Sequence, residues 1–161
     1  MDYAIVNATE EDRKELLSLY HVQLGRECCP WDDEYPGEES IDWDLSRNAL
    51  FVMKTEGKIL AAISFEEDEE VDAFPFWDRG LEPSGELARL AVLPEWQNRG
   101  LAKAMLRFGM EELKRRGFCG VRFMVNKTNA KAIRSYASFG FHVAGKCHIY
   151  EQDMFCYERK L

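Results

Sequence analysis

An α/β fold on a mixed sheet is what the sequence predicts, and three observations predict it. Between residues 86 and 150 the chain alternates as strand, helix, strand, helix, strand, an order that sets neighbouring strands parallel. On both sides stand paired strand-like runs joined by turn residues, which add antiparallel strands. The 161 residues, 46% of them hydrophobic, suffice for the core of one domain, and no repeat or low-complexity linker divides the chain.

The elements follow in order. Tyr3-Ala4-Ile5-Val6-Asn7 is short and β-prone. Thr9 with Asp12 opens a capping pattern for a helix from about Glu10 to Leu24, whose apolar side is Leu16, Leu17, Leu19 and Tyr20. Gly25 to Ser40 holds two prolines, adjacent cysteines, Trp31 and the acid cluster Asp32-Asp33-Glu34, a loop that leads into a short helix near Ile41 to Arg47. Strands at Leu50 to Lys54 and Ile59 to Phe65 are joined by a tight turn at Glu56-Gly57. Residues 66 to 84 open with five consecutive acids and continue through Phe74, Phe76 and Trp77 as an irregular excursion. Glu86 to Val92 is a strand closed by Pro94. From Leu101 to Arg116 the period turns helical: Ala102, Met105, Leu106, Gly109 and Leu113 form one stripe, opposite Lys103, Arg107, Glu111 and Lys114. Gly117 ends that helix. Val121 to Val125 is a strand, and Ala130 to Phe139 a helix capped by Asn129 and stopped by Gly140. Strands at Phe141 to Tyr150 and Met154 to Lys160 close the chain.

Charge and cysteine usage remove whole classes of function. The net charge is -8, which argues against a protein wrapped around nucleic acid. Yet the charge is unevenly spread: residues 1 to 96 carry net -16, residues 97 to 134 net +8, and the remainder is balanced. A basic block inside an acidic chain points to a local anionic ligand. Five cysteines, with Cys28 and Cys29 adjacent and no CxxC spacing, disfavour disulfide frameworks and metal fingers. No basic-then-apolar leader opens the chain, and no apolar run approaches the roughly 20 residues of a membrane helix. The expectation is a cytoplasmic protein without a metal.

The sharpest local signal is Gln97-Asn98-Arg99-Gly100-Leu101-Ala102, set between a strand and an amphipathic helix. Such a loop aims backbone N–H groups and the positive end of the helix dipole at one point, as a phosphate or pyrophosphate requires. It is neither GxGxxG nor GxxxxGK[ST], so hydride and phosphoryl transfer lose support. By itself a glycine at a helix start is also an ordinary N-terminus.

With its surroundings the loop resembles the GNAT superfamily of N-acetyltransferases, whose Q/R-x-x-G-x-G/A loop grips the pyrophosphate of acetyl-coenzyme A. The resemblance runs from Glu86 to Phe141: Leu90-Ala91-Val92-x-Pro94, the loop at 97 to 102, then Asn129-x-x-Ala132-x-x-x-Tyr136-x-x-x-Gly140-Phe141. It implies a single domain over residues 1 to 161 with a mixed, mostly antiparallel central sheet and helices on both faces. Carried over by position, Leu90, Ala91 and Val92 offer backbone groups to the pantetheine arm. Gln97, Asn98, Arg99, Gly100, Leu101 and Ala102 hold the pyrophosphate, and Asn129 contacts the cofactor as well as capping its helix. Tyr136 matches the tyrosine that protonates the departing thiolate. Glu86 matches the glutamate that deprotonates the amine in the histone-acetylating branch, although a sheet-edge carboxylate is equally compatible with its position. The branch that acetylates ribosomal-protein N-termini places a glutamate five residues before the asparagine, where this chain has Met124.

Trp31, Asp32, Asp33 and Tyr35, with Glu34 and Trp43 nearby, lie where the family builds its substrate-facing segment. Carboxylates beside aromatic rings suit a protonated amine, while an ordinary solvated loop would carry the same residues. The resemblance thus implies acetyl transfer from acetyl-coenzyme A to a primary amine in a ternary complex that needs no metal, and the acidic, aromatic loop points to a small cationic amine or amino-acid-like metabolite. The implied partners are those two reactants, without nucleic acid or membrane, and a homodimer is left open. The alternatives are acetylation of a protein N-terminus or lysine, and a non-catalytic acyl-coenzyme A sensor.

Overall fold

A computed structural model describes residues 2–27 and 29–161, so Cys28 of the adjacent pair lies outside the described residues. It holds seven strands: β1 (Ala4–Asn7), β2 (Leu50–Thr55), β3 (Lys58–Glu66), β4 (Ser84–Val92), β5 (Gly120–Asn126), β6 (His142–Ile149) and β7 (Gln152–Lys160). The helices are α1 (Arg13–His21), α2 (Glu38–Ser46), α3 (Glu69–Asp72), α4 (Leu101–Arg115) and α5 (Ala130–Ser138). Strand neighbours follow the order β1-β2-β3-β4-β5-β7-β6. The β4–β5 ladder is parallel, and β1–β2, β2–β3, β5–β7 and β6–β7 are antiparallel. The mixed, mostly antiparallel sheet is thus as expected.

The chain divides into two units. The first comprises the segment up to Phe65 with Ala88–Gly109, the second Glu66–Leu87 with Met110–Leu161. In the first, β2 and β3 form a hairpin whose turn residues Glu56 and Gly57 both have positive φ, 49° and 78°, the twist-matched geometry of a two-residue hairpin. Leu16, Leu19 and Tyr20 of α1 and Ile41 of α2 bury against Leu50, Val52, Ile59, Ala62 and Ala91, each large apolar side chain contributing about 1.5–3 kcal/mol.

The second unit holds two sets of side chains on the opposite faces of β5 and β7. Phe123 stacks on Tyr157 with centroids 5.2 Å apart. On the other face Trp77 and Val71 bury with Ile149, Met154 and Cys156. Leu113 of α4 fills the space beside Gly85, where an added Cβ would lie 2.5 Å from Leu113 Cδ2. The described cysteines, Cys29, Cys119, Cys147 and Cys156, are free thiols.

Several boundaries depart from the sequence reading. The expected helix from Glu10 to Leu24 is a 3-10 turn at Glu10–Asp12 followed by α1, which stops at His21. Asp12 explains the tight start: its Oδ2 accepts the Thr9 N–H at 2.9 Å while Oδ1 pairs with Lys54 Nζ at 2.6 Å. Beyond α1, Gln23 turns inward to bond backbone carbonyls and Gly25 takes φ 77°. α2 starts a turn earlier than Ile41, because Ser40 Oγ accepts the Gly37 N–H at 2.8 Å. The irregular excursion at 66 to 84 contains α3 and a 3-10 turn at Arg79–Leu81. Both are started by acids from that stretch: Asp68 accepts the Glu70 N–H at 3.0 Å and Asp78 the Gly80 N–H at 2.8 Å. Part of the acidic run is therefore capping rather than solvated surface.

Candidate active site

In the first unit, the second half of β4 leads through a 3-10 turn at Pro94–Trp96 into the loop before α4. Gln97 anchors that loop. Its Nε2 donates to the Val92 carbonyl at 3.1 Å, a carbonyl that also accepts Gln23 Nε2 at 2.9 Å, and its Oε1 accepts Arg26 Nη2 at 2.8 Å. The Gln97 side chain therefore holds the loop to the end of β4 and leaves the backbone beyond it to meet a ligand. Asn98 and Gly100 have φ 61° and 83°, so the backbone enters the left-handed region twice within three residues. Arg99 stands between them with its guanidinium 4.8 Å from the Trp96 ring centroid.

The Gly100 carbonyl accepts the Ala104 N–H at 3.0 Å, which makes Gly100 the residue from which α4 starts. The N–H groups of the first turn have no acceptor within the helix and sit at its positive end, the arrangement that binds phosphate. A Cβ on Gly100 would meet nothing within 4 Å. Backbone conformation, not crowding by the protein, demands glycine there, and the open space fits a pyrophosphate lying against the backbone. Leu101 is buried in the core while Lys103 and Arg107 are exposed on α4.

Leu90, Ala91 and Val92 end β4 just after Arg89, whose φ is 49° in mid-strand. The side chain of Arg89 is buried and grips Asp44 of α2 through two bonds, Nε to Oδ2 at 3.0 Å and Nη2 to Oδ1 at 2.6 Å. Its Nη1 donates to the Tyr35 hydroxyl at 3.0 Å. Burial raises the Asp44 pKa, opposed by the guanidiniums of Arg89 and Arg47 and by Ser64. Among the residues expected to face the amine, Trp31 packs edge-on against Tyr20 at 5.8 Å. Asp32 accepts the N–H groups of Glu34 and Tyr35 at 2.9 and 2.8 Å, so it shapes the loop. Asp33 and Glu34 are exposed. Trp43 is exposed with Arg47 4.3 Å above its ring.

In the second unit, Glu86 is buried, 7% exposed, and is paired in register with Arg122 of β5. Arg122 is itself buried, donates to Asp72 Oδ1 at 2.9 Å and stacks 4.4 Å from the Trp77 centroid. Met124, two residues further along β5, shares that face. Asn129 Oδ1 accepts the Ala132 N–H at 3.1 Å, so the expected N-cap exists and uses only the oxygen of the amide. Tyr136 lies half-buried on the opposite face, its ring centroid 3.8 Å from that of Phe123 and 6.4 Å from that of Tyr157. Burial pushes its phenol up to about 12, which keeps it protonated and able to donate at neutral pH. The carboxylate and the phenol thus occupy opposite faces of the second unit's strands.

Asp44, Arg89, Gln23 and Arg26 are absent from the sequence reading. A carboxylate three residues after the apolar Ile41, and a lone arginine inside the apolar run Leu87 to Leu93, were the available signals. Among the described residues no group of three His, Cys, Asp or Glu side chains is placed to hold a metal ion, and no helix is long and apolar enough to cross a membrane.

The acetyltransferase (GNAT) family model matches residues 13–141. The [ribosomal protein bS18]-alanine N-acetyltransferase of Escherichia coli K12 is 28% identical over 135 residues, covering 81% of this chain and 76% of that protein. The mycothiol acetyltransferase of Acidothermus cellulolyticus is 40% identical over 73 residues, 45% of this chain and 22% of that protein. Among solved structures, yncA of Salmonella typhimurium with its cofactor acetyl-CoA superposes with a TM-score of 0.77 at 21% identity, over 100% of this chain and 95% of that one. The Escherichia coli ribosomal-protein-S18-alanine N-acetyltransferase superposes at 0.72 with 21% identity, over 99% and 94%.

Proposed function

The chain belongs to the acetyltransferase (GNAT) family, and from that premise we propose that it moves acetyl from acetyl-CoA to a primary amine, a small cationic amine or amino-acid-like metabolite. The observation that carries the reading is the loop at Asn98 and Gly100, with left-handed backbone at both residues, opening an amphipathic helix directly after β4. Acetyl-CoA supplies an acetyl group activated as a thioester. The loop and the first turn of α4 bind the pyrophosphate through backbone N–H groups, and Lys103 and Arg107 add positive charge on the same helix. Leu90 to Val92 offer backbone N–H and C=O groups to the pantetheine arm, and one of those N–H groups stabilises the negative charge developing on the carbonyl oxygen.

The resemblance assigns the proton movements to Glu86 and Tyr136. Glu86, or a water held beside it, takes the proton from the ammonium or the attacking amine. Tyr136 gives its phenolic proton to the departing sulfur, for which a phenol held protonated is suited. The two groups lie on opposite faces of the strands, so each role is tested by itself, with Tyr136→Phe and Glu86→Gln. The face shared by Glu86 and position 124 supports Glu86 as the base in a chain that has Met124 where relatives of the ribosomal type carry glutamate. The exposed carboxylates of Asp33 and Glu34 draw in an acceptor that arrives as a cation. The cytoplasm as its compartment belongs to the same proposal.

A second reading, acetylation of a peptide α-amine, is favoured by one observation, the similarity to the bS18-alanine enzyme. Thiol release measured over matched panels of small amines, short peptides and acidic amino acids separates the two. Small cationic amines are expected to give the highest kcat/KM. A preference of tenfold or more for peptides would install the second reading, and thiol release that no amine accelerates would overturn both.

A further inference from the structure

We propose that Asp44 and Arg89 are positioning residues of this transferase, and that the bond from Arg89 to the Tyr35 hydroxyl ties the acceptor loop to the strand that presents the acetyl group. The inference rests on the acetyl-transfer reading above and adds residues to it. All of its parts lie in the first unit. Asp44 and Arg89 have side chains 0% and 2% exposed. The Asp44 carboxylate accepts Arg89 Nε and Nη2, Ser64 Oγ at 2.6 Å and Arg47 Nη2 at 2.8 Å, so both oxygens have their lone-pair sites occupied.

Stability does not account for such a cluster. A buried ion pair returns little more than its desolvation cost, and apolar residues of equal volume serve a core as well or better. What the pair does supply is orientation. Arg89 sits at φ 49° in the middle of β4, a conformation that side-chain-bearing residues adopt only when their surroundings hold them there. The bidentate grip of Asp44 is that hold. It fixes the backbone immediately before Leu90, Ala91 and Val92, the residues assigned to the pantetheine and the carbonyl oxygen.

The remaining nitrogen of the same guanidinium reaches the other reactant's loop. Nη1 donates to the Tyr35 hydroxyl at 3.0 Å, although the Tyr35 residue is 48% exposed. Residues 32 to 35 are closed on themselves. Asp32 N–H donates to the Tyr35 carbonyl at 3.1 Å, and Asp32 Oδ1 accepts the Tyr35 N–H at 2.8 Å. Holding the Tyr35 ring therefore holds the whole turn, with Asp33 and Glu34 displayed from it. One arginine sets both the strand that receives the thioester and the carboxylates that meet the amine.

Tyr35→Phe tests the tether without touching the core. Amide hydrogen exchange at Glu34 and Tyr35, whose N–H groups bond Asp32, is expected to quicken about fivefold or more, with the melting temperature unchanged. The amine KM is expected to rise about five- to tenfold while the acetyl-CoA KM stays constant. Arg89→Lys, which keeps the charge but loses the fork, is expected to lower kcat about tenfold as well. Wild-type amine KM in Tyr35→Phe, whether or not exchange quickens, would overturn the positioning role. Failure of the acetyl-transfer reading looks different, because the wild-type protein itself would then transfer acetyl to no amine.

Discussion

Replacing Tyr136 with phenylalanine isolates one atom of the proposed chemistry. The ring centroid lies 3.8 Å from that of Phe123, with Phe141 and Tyr157 further out, so phenylalanine keeps every aromatic contact and loses only the hydroxyl. We therefore expect a stability change within about 1 kcal/mol, the scale of a single net hydrogen bond. Turnover is another matter. A positioned proton donor contributes ~10²–10⁴ in rate, equivalent to about 3–5 kcal/mol at 1.36 kcal/mol per decade, and that is the expected fall in kcat. Acetyl-CoA affinity, measured by calorimetry, should stay within about twofold, because the hydroxyl acts on the leaving sulfur and not on the pyrophosphate. The pH profile supplies an internal check. Burial disfavours the phenolate and lifts the phenol to about 12, above its ordinary value of roughly 10, so the acid stays in its active, protonated form through pH 10. Wild-type kcat should show no alkaline decline attributable to this group between pH 9 and 10. A Tyr136→Phe enzyme with wild-type kcat, or a loss of kcat centred well below pH 10 that disappears in the variant, would refute the assignment.

Three further outcomes follow from the same geometry. Gly100→Glu places a side chain and a charge in the loop proposed to bind the pyrophosphate; the positive φ costs about 1–2 kcal/mol, so the protein should stay folded by circular dichroism while coenzyme A binding falls at least 100-fold by calorimetry. Glu86→Gln should depress kcat/KM most at low pH, where the amine arrives protonated and a base is most needed, and superimposable pH–rate curves for variant and wild type would remove Glu86 from the mechanism. Asp33→Lys with Glu34→Lys should raise the amine KM about fivefold or more with little effect on acetyl-CoA, and added salt should reproduce part of that rise in the wild type; Asp32 is left in place because its carboxylate closes the turn through two backbone N–H groups.

Much of the architecture is legible in the sequence because its local signals are strong and agree with one another. Asn129 and Gly140 bracket α5, and the observed cap bond and the Gly140 φ of 79° are what those residue types supply. The apolar stripe of α4 is legible for the same reason: Met105, Leu106 and Leu113 of the expected stripe are buried, although Leu101, which that stripe leaves out, is buried too and Ala102 is only half-buried. The excursion at 66 to 84 is less so, because α3 is four residues long, too short to display a period, and only Asp68 and Asp78 betray its turns. The site divides along the same line. A glycine that must adopt positive φ between strand and helix is a local fact and could be read. Asp44 could not: in the sequence it resembles Asp42 two residues earlier, yet Asp44 is fully buried while Asp42 pairs at the surface with Arg13. What distinguishes them is Arg89, 45 positions away. Gln97 is a related case: its side chain turns to Val92 and Arg26, partners that no local signal in the sequence names.

The central claim is acetyl transfer through a loop that binds the pyrophosphate, and it is tested most directly by one paired measurement: thiol release from acetyl-CoA with and without a small cationic amine, in wild type and Gly100→Glu. The account predicts amine-stimulated release, with one acetylated amine formed per thiol, that saturates in both reactants and vanishes in Gly100→Glu. Release that no amine accelerates, or an unimpaired rate in a folded Gly100→Glu protein, would contradict it.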